Sequence, residues 1–301
     1  MRMTYRGIVA MSATMLLGGA LGAQAATVRD GAGLTVTVKA PAKRVASLMG
    51  SAIDIIAALG AADRVAARTR YDTASAVAKA INVGGGVDPS IETLLSARPD
   101  LFVAWNGQRN AAVVNRMRTA GVPVYLVETK DTTALFATVR DLGALLGMTP
   151  RAAAAADSLR AELRTVQQRV PKRARPTAVY VISQSPVIIS AAKSYMAELI
   201  SVAGADNPFA DVQGEFPTLS LEAFLARDPD VIITGRREDG TPQLARMRAT
   251  PGWRDLRAVK NGAVIEVDGM AWGRPNLHVG ALVRDLAAAL QRIPTSAIRA
   301  R

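Results

Sequence analysis

The most informative absence in this sequence is cysteine, and histidine is nearly absent too, with one residue, His278. Without cysteine the chain has no disulfide, no thiolate nucleophile and no thiolate metal site. The chain has a single histidine and no tight run of acidic residues beside it. It therefore lacks the side chains that a hydrolytic metal centre or a nucleophile–base pair usually needs. The composition therefore argues against an enzyme and against a protein-bound metal.

Long hydrophobic runs are also missing. After the N-terminal region no run reaches the roughly 18 apolar residues that a membrane-spanning helix needs. At the N-terminus Arg2 and Arg6 precede an apolar segment, and Ala-Gln-Ala at 23–25 fits the small-x-small pattern of a signal-peptidase site. We expect a signal peptide over residues 1–26, cleaved near residue 25, and a periplasmic protein. No cysteine stands at that site, so no lipid anchor is expected.

The chain is basic, with a formal net charge of +12. A balance of this kind can indicate nucleic acid as a partner. Here the basic residues are spread along the chain, and the longest cluster is Pro-Lys-Arg-Ala-Arg-Pro at 171–176. We therefore expect no nucleic-acid binding. A charge that serves solubility and a charge that attracts an anionic ligand both stay open.

One segment of the sequence occurs twice. Residues 90–105 read SIETLLSARPDLFVAW, and residues 220–235 read SLEAFLARDPDVIITG. In each copy a helical stretch stops before a proline, which cannot continue the hydrogen-bond ladder. The apolar run that follows is typical of a strand buried on both faces of a parallel sheet. For the first copy, Asp88 and Pro89 are predicted as the N-cap and first residue of the helix.

A long helix is predicted between the two copies, because Pro150 suits its first turn and no breaker follows until Pro171. Residues 150–170 would make a helix of about 30 Å, a stiff spacer. The predicted fold class is α/β, with two doubly wound parallel-sheet lobes joined by one long rigid α-helix. The predicted parts are a signal peptide (1–26), an N-terminal lobe (27–148), a linking helix (149–171) and a C-terminal lobe (172–301).

Polar loops follow both repeated strands, and ligands of parallel sheets bind beyond the carboxyl ends of the strands. Two lobes that face each other across such loops would form a cleft for a small molecule. Aromatic residues are only 4% of the chain, so those near strand ends are candidate ligand platforms. The predicted ligand-binding residues are Trp105, Trp272, Tyr71, Arg70, Arg109, Arg236 and Arg274.

Each candidate has a structural alternative. Trp105 and Trp272 could fill a core, and Tyr71 could be a solvated loop residue, a stacking residue or a phenolate ligand of haem iron. The arginines, with Arg68 and Arg237 at similar positions, suit carboxylate or catecholate oxygens but also occur as plain surface charge. Three further assignments are structural: Trp253 is predicted as a packing anchor, His278 as a surface or capping residue, and Glu92 and Glu222 as helix-start acids, with docking to a permease as the alternative for the glutamates.

The order of these motifs resembles the periplasmic binding proteins of ABC importers for ferric siderophores, haem and cobalamin. The shared features include Glu-x-Leu-Leu-x-x-x-Pro-Asp-Leu at 92–101, Gly-Val-Pro-Val at 121–124 and the long central helix. The resemblance implies a monomer with no catalytic cofactor. The resemblance also implies that the protein captures a metal chelate between its lobes and delivers it to a membrane permease driven by an ATPase.

The resemblance leaves the chelate open. The segment VAWNGQRN at 103–110 is especially similar to cobalamin binders, in which a tryptophan at the position of Trp105 lines the cleft. Other positions depart from those proteins: RYDTA stands in place of an acidic loop, and the positions of docking glutamates fall on Ala111 and near Arg274. The arginine-rich loops favour a ferric siderophore, followed by cobalamin and then haem. A sensor or interaction protein on the same scaffold is the other alternative.

Overall fold

The computed structural model describes residues 24–171, 175–191 and 193–298. Nearly all of the predicted signal peptide lies outside these residues. Within the described residues the strands form a two-stranded hairpin and two five-stranded sheets. The hairpin pairs β1 (Ala26–Arg29) with β2 (Thr35–Val38), and it had no counterpart in the sequence-based prediction.

The N-terminal lobe is built on a wholly parallel sheet in the order β5-β4-β3-β6-β7. The neighbouring strands Val45–Ser47 and Leu101–Trp105 are largely buried because almost every side chain in them is apolar. Its strands are β3 (Val45–Ser47), β4 (Val65–Arg68), β5 (Ile81–Asn82), β6 (Leu101–Trp105) and β7 (Val124–Val127). Its helices are α1 (Gly50–Ala58), α2 (Ile91–Ser96), α3 (Ala111–Thr119) and α4 (Thr132–Leu145).

A single helix, α5 (Thr149–Arg169), follows and leads from the first sheet to the second. Its buried residues recur every three or four positions, as expected of one helix face. They are Ala152, Ala156, Leu159, Leu163 and Val166. This face packs on α4 of the N-terminal lobe and on helices of the C-terminal lobe, so the helix is anchored at both ends.

The C-terminal lobe has a sheet in the order β10-β9-β8-β11-β12. Its strands are β8 (Ala178–Gln184), β9 (Val187–Ile189), β10 (Thr218–Leu219), β11 (Val231–Gly235) and β12 (Val264–Val267). Its helices are α6 (Tyr195–Val202), α7 (Leu221–Arg227), α8 (Gln243–Ala249), α9 (Arg257–Lys260), α10 (Gly269–Trp272) and α11 (Val279–Gln291).

The second sheet differs from the prediction in one respect. β8, β11 and β12 are parallel, but β9 is antiparallel to both β8 and β10. The tight turn at Ser185 and Pro186 returns the chain directly, so β8 and β9 form a hairpin rather than a crossover. The predicted class, two α/β lobes on parallel sheets, is confirmed.

The repeated segment folds the same way in both lobes. Ser90 caps α2 by accepting a hydrogen bond from the Thr93 amide at 3.2 Å, and Ser220 caps α7 by accepting one from the Ala223 amide at 3.1 Å. The prediction that Asp88 caps the first helix is therefore wrong by two residues. Ser90 is the N-cap because its hydroxyl reaches the amide of the third helical residue.

Candidate functional site

Trp105 is the last residue of β6 and lies at the carboxyl edge of the N-terminal sheet. Four apolar residues before it are buried, whereas Trp105 itself is 39% exposed. Gly107 lies so close to the indole that any side chain there would overlap the ring. The indole therefore packs closely against Gly107 at the strand end, and its contact with a ligand stays a prediction.

The C-terminal lobe has a cavity of about 650 Å³ at the carboxyl ends of β8 and β11. One part of its wall is apolar and is formed by Tyr180, Ile182, Met196 and Phe216. The rest is polar and is formed by Thr234, Arg236, Arg237, Glu238, Asp239 and Gln243. A large, partly aromatic cavity with a few polar groups is typical of a small-molecule site.

Segments beside these two surfaces lie near each other across the lobe boundary. Burial raises the pKa of the Glu215 carboxyl, and the nearby charge of Glu128 from the other lobe raises it further. Glu215 precedes Phe216 of the cavity wall, and Glu128 follows Val127, which is paired in register with Trp105. The residue after β7 and the residue before Phe216 are therefore close enough for their charges to interact across the lobe boundary.

Polar contacts join the lobes on one side of this cleft. The Arg274 guanidinium lies 3.3 Å from a carboxylate oxygen of Asp72 and donates to the Tyr71 carbonyl at 3.2 Å. The Asn276 amide donates to Asp54 of α1 at 2.9 Å. Burial raises the pKa of Asp54, although the hydrogen bond from Asn276 opposes the shift.

A further contact joins α6 to the start of α4. The Glu198 carboxylate accepts hydrogen bonds from the Thr132 amide at 2.8 Å and from its hydroxyl at 2.5 Å. One glutamate oxygen thereby satisfies a free amide at a helix N-terminus, where negative charge is favoured. The cleft is thus bounded by hydrogen-bonded contacts between the lobes, none of which was predicted from the sequence.

Tyr71 lies at the tip of a tight turn, and 57% of the residue is exposed. The turn is closed by Asp72, whose carboxylate accepts from the Thr69 amide at 3.1 Å and from its hydroxyl at 2.6 Å. The Arg70 guanidinium lies 5.6 Å from the centre of the Tyr71 ring. This exposure suits the predicted role in ligand contact, which stays a prediction.

Trp272 has a different place from the one predicted. Only 2% of the residue is exposed, and its ring stacks on Tyr180 with centroids 6.3 Å apart. The expectation that Trp272 forms the cleft wall is corrected on this geometry: Tyr180 forms the wall, and Trp272 supports it from the core. Trp253 is buried against Phe224, with centroids 5.1 Å apart, as predicted for a packing anchor.

Most of the candidate arginines have partners within the protein. Arg70 lies 3.4 Å from Asp88, Arg237 is paired with Asp239 at 2.6 Å, and Arg274 binds Asp72. Arg68 donates to the carbonyls of Val77 and Thr69. Two candidate arginines differ, the exposed Arg109 and the cavity-lining Arg236. Their guanidinium groups form no ion pair within the described part of the chain.

The described ranges contain no group of three or more histidine, aspartate and glutamate side chains placed to hold a metal ion. His278 is exposed at the N-terminus of α11, beside the Asn276 contact, in agreement with its prediction as a surface residue. Sequence reasoning missed the cavity wall of Tyr180, Ile182, Phe216 and Gln243. Ile182 gave the clearest signal, as an apolar residue at a strand end; Phe216 lies in a loop that has no periodic pattern.

Two α/β lobes, one connecting helix and a large cavity at the carboxyl end of one sheet are the architecture of a bilobed binding protein. The family model of periplasmic binding proteins matches residues 45–271, and the chain belongs to that family. Proteins of this family bind small molecules for ABC importers. Among residues 24–171, 175–191 and 193–298, no helix is long and apolar enough to cross a membrane.

Several known proteins are similar to this chain. The ABC transporter substrate-binding lipoprotein YvrC of Bacillus subtilis (strain 168) is 27% identical over 249 residues, which cover 80% of this chain and 78% of YvrC. The vitamin B12-binding protein BtuF of Vibrio cholerae is 25% identical, with a TM-score of 0.68 over 84% of this chain and 99% of BtuF. The haem-binding protein RhuT of Roseiflexus sp. RS-1 shares the fold at 23% identity, with a TM-score of 0.72 over 82% and 97%.

Proposed function

We propose that this protein is a periplasmic binding protein that captures a corrinoid of the cobalamin class in the cleft and delivers it to an ABC importer. The proposal is supported by a partly exposed tryptophan, Trp105, at the end of β6 and by the apolar wall of Tyr180, Ile182 and Phe216 in the cavity of the other lobe. In this proposal the two surfaces form opposite sides of the binding cleft. Such surfaces suit the broad faces of a macrocycle, which stack on aromatic rings and exclude water.

The ion pairs of the candidate arginines support this ligand over the ferric siderophore that the sequence favoured. Anionic chelates require positive charge that is free to pair with their oxygens. Arg70, Arg237 and Arg274 are instead paired with aspartates, so much of the apparent positive charge of the cleft is already compensated. A ligand of low net charge suits this site better than a highly anionic one.

A ferric siderophore remains the second candidate because of two side chains. Arg236 lines the cavity, and Arg109 is exposed four residues after Trp105. Guanidinium groups at these positions could each pair with a carboxylate or catecholate oxygen. In either case the chelate itself holds the metal, and the protein carries out no reaction.

The importer would dock on the side where both sheets end. Ser90 follows β5 closely, with its amide bonded to the Val83 carbonyl, and Ser220 directly follows β10, so α2 and α7 both begin at the cleft edge. Their first turns carry the exposed residues Glu92 and Glu222, which are 130 positions apart and form no ion pair within the described residues. Two equivalent acids suit a permease made of two similar halves that present basic side chains.

Calorimetric titration of the mature protein, residues 27–301, tests the proposal with cyanocobalamin, haemin and a ferric catecholate siderophore as separate ligands. We expect saturable binding of cyanocobalamin and about tenfold weaker binding by Trp105→Ala, because an aromatic stack is lost. Trp253→Phe is the matched control, since Trp253 is a core residue, and it should leave the affinity unchanged. Binding of the siderophore alone would transfer the assignment to the second candidate, and binding of no chelate would contradict both.

A further inference from the structure

Arg274 connects the two lobes at the edge of the cleft. It lies in the loop between α10 and α11 of the C-terminal lobe, yet its partners are in the N-terminal lobe. One guanidinium nitrogen lies 3.3 Å from Asp72 Oδ1, and the other donates to the Tyr71 carbonyl at 3.2 Å. One side chain thus holds two consecutive residues of the turn that displays Tyr71.

The buried negative charge of the Asp72 carboxylate is compensated by this contact. Its side chain is 2% exposed, and its Oδ2 atom accepts both hydrogen bonds from Thr69. Its Oδ1 atom accepts no hydrogen bond from the described residues, and the Arg274 guanidinium is the charge that faces it. A buried carboxylate without a counter-charge is strongly destabilised. Separation of the lobes would therefore leave Asp72 without compensation unless water entered the turn.

Gly50, at the start of α1, gives independent support for a built contact. A side chain at this position would begin 2.6 Å from Arg274 Cζ and 2.7 Å from Asp72 Oδ1. Residue 50 therefore has to be glycine for the arginine to reach the aspartate in this arrangement. The N-terminal lobe leaves space for a side chain that comes from the C-terminal lobe.

We infer that Arg274 is a positioning residue that fixes the Tyr71–Asp72 turn across the cleft, and so couples this wall of the ligand site to the relative position of the lobes. The ligand role of the cleft is taken from the proposed function. The sequence predicted that Arg274 contacts the ligand directly, whereas here it acts through the turn.

A distance measurement without ligand tests the coupling. The chain has no cysteine, so Ser96→Cys and Ala226→Cys provide two unique spin-label sites, at equivalent exposed positions of α2 and α7. Pulsed electron–electron double resonance should give a narrow distribution of distances between the two labels. In Arg274→Gln this distribution should become broader and its mean distance longer. Arg227→Gln is the control, because Arg227 pairs with Asp211 inside one lobe. An unchanged distribution in Arg274→Gln would overturn the inference.

Ligand affinity provides a second test of the positioning role of Arg274. With cyanocobalamin as the probe, Arg274→Gln should bind about tenfold more weakly if only about a tenth of the molecules keep the competent arrangement. Arg274→Lys should recover part of the affinity through its charge, and Arg227→Gln should bind normally. Normal affinity in Arg274→Gln would contradict the positioning role. Failure of the unsubstituted protein to bind any chelate would instead contradict the proposed function, while the distance measurement still decides whether Arg274 joins the lobes.

Discussion

Asp100 and Asp230, 130 positions apart, perform the same structural task in the two lobes. Asp100 accepts hydrogen bonds from the Lys43 and Arg44 amides at 2.8 and 2.9 Å, just before β3. Asp230 accepts one from the Thr177 amide at 2.8 Å, just before β8. Each carboxylate thereby holds the start of the repeated strand against the start of its neighbour. This explains why the repeat carries Pro-Asp ahead of each strand.

The two aspartates should nevertheless differ in their effect on stability. Asp230 is buried and also pairs with Arg257, whereas Asp100 is exposed. We expect Asp230→Ala to lower the free energy of unfolding by about 3 kcal/mol, because the Thr177 amide and hydroxyl lose a buried acceptor and Arg257 loses one of its two aspartates. We expect Asp100→Ala to lower it by about 1 kcal/mol. Urea unfolding of both variants gives these values. Equal losses would contradict the explanation from burial.

The repeat made much of the fold predictable. Serine, proline, aspartate and apolar residues recur at a constant offset, and each copy gives a helix, a sharp turn and a strand. The offset also relates Arg98 and Asp228, which both adopt left-handed backbone conformations with φ of 46° and 41°. Neither is a glycine, so sequence alone did not indicate this turn geometry.

The site was less predictable because its contacts join segments that are far apart in the chain. The sequence indicated exposed aromatic residues at strand ends, and Trp105 fits that expectation. It could not indicate that Arg274 meets Asp72 about 200 residues away, since surface arginines share no local pattern that distinguishes a paired from an unpaired one. Trp272 was misjudged for a similar reason: the glycine-rich segment around it forms the short helix α10, which places the ring in the core.

Gly107 should be required for the position of Trp105. An alanine methyl group at residue 107 would overlap the indole, so Gly107→Ala should displace the ring and weaken ligand binding about tenfold. The free energy of unfolding should change little, because the displaced ring is already partly exposed. Gly86→Ala is a suitable control, since its methyl group would have only an ordinary contact with the Leu48 carbonyl. Calorimetric titration and urea unfolding separate the two effects.

Asp54 should make the protein less stable as pH rises. Its pKa is raised by burial, so between its ordinary value and the raised one the folded state binds more protons than the unfolded state. Its contribution to stability is greatest below that window and falls as pH rises through it. The ionisable groups around it are Arg274, Asp72 and His278, and Asn276 donates the hydrogen bond.

The variant Asp54→Asn removes this titration and keeps an oxygen that can accept from Asn276. Its stability should therefore exceed that of the unsubstituted protein at neutral pH, and the difference should shrink towards about pH 4. Urea unfolding over this range measures the difference, with Asp63→Asn as the control at an exposed aspartate. A difference that grows on acidification would show that the sign assigned here is wrong.

Glu92 and Glu222 should act in delivery and not in capture. Both are exposed in the first turns of equivalent helices at the cleft edge, and neither lines the described cavity. The double variant Glu92→Lys, Glu222→Lys should bind its chelate normally but fail to support uptake in cells, because like charges would then face each other across the docking surface. Asp63→Lys, a reversal at an exposed site outside these helices, should support normal uptake. Uptake by the double variant at the unsubstituted rate would rule out docking through these two residues, and weakened chelate binding would instead show that they contribute to the ligand site.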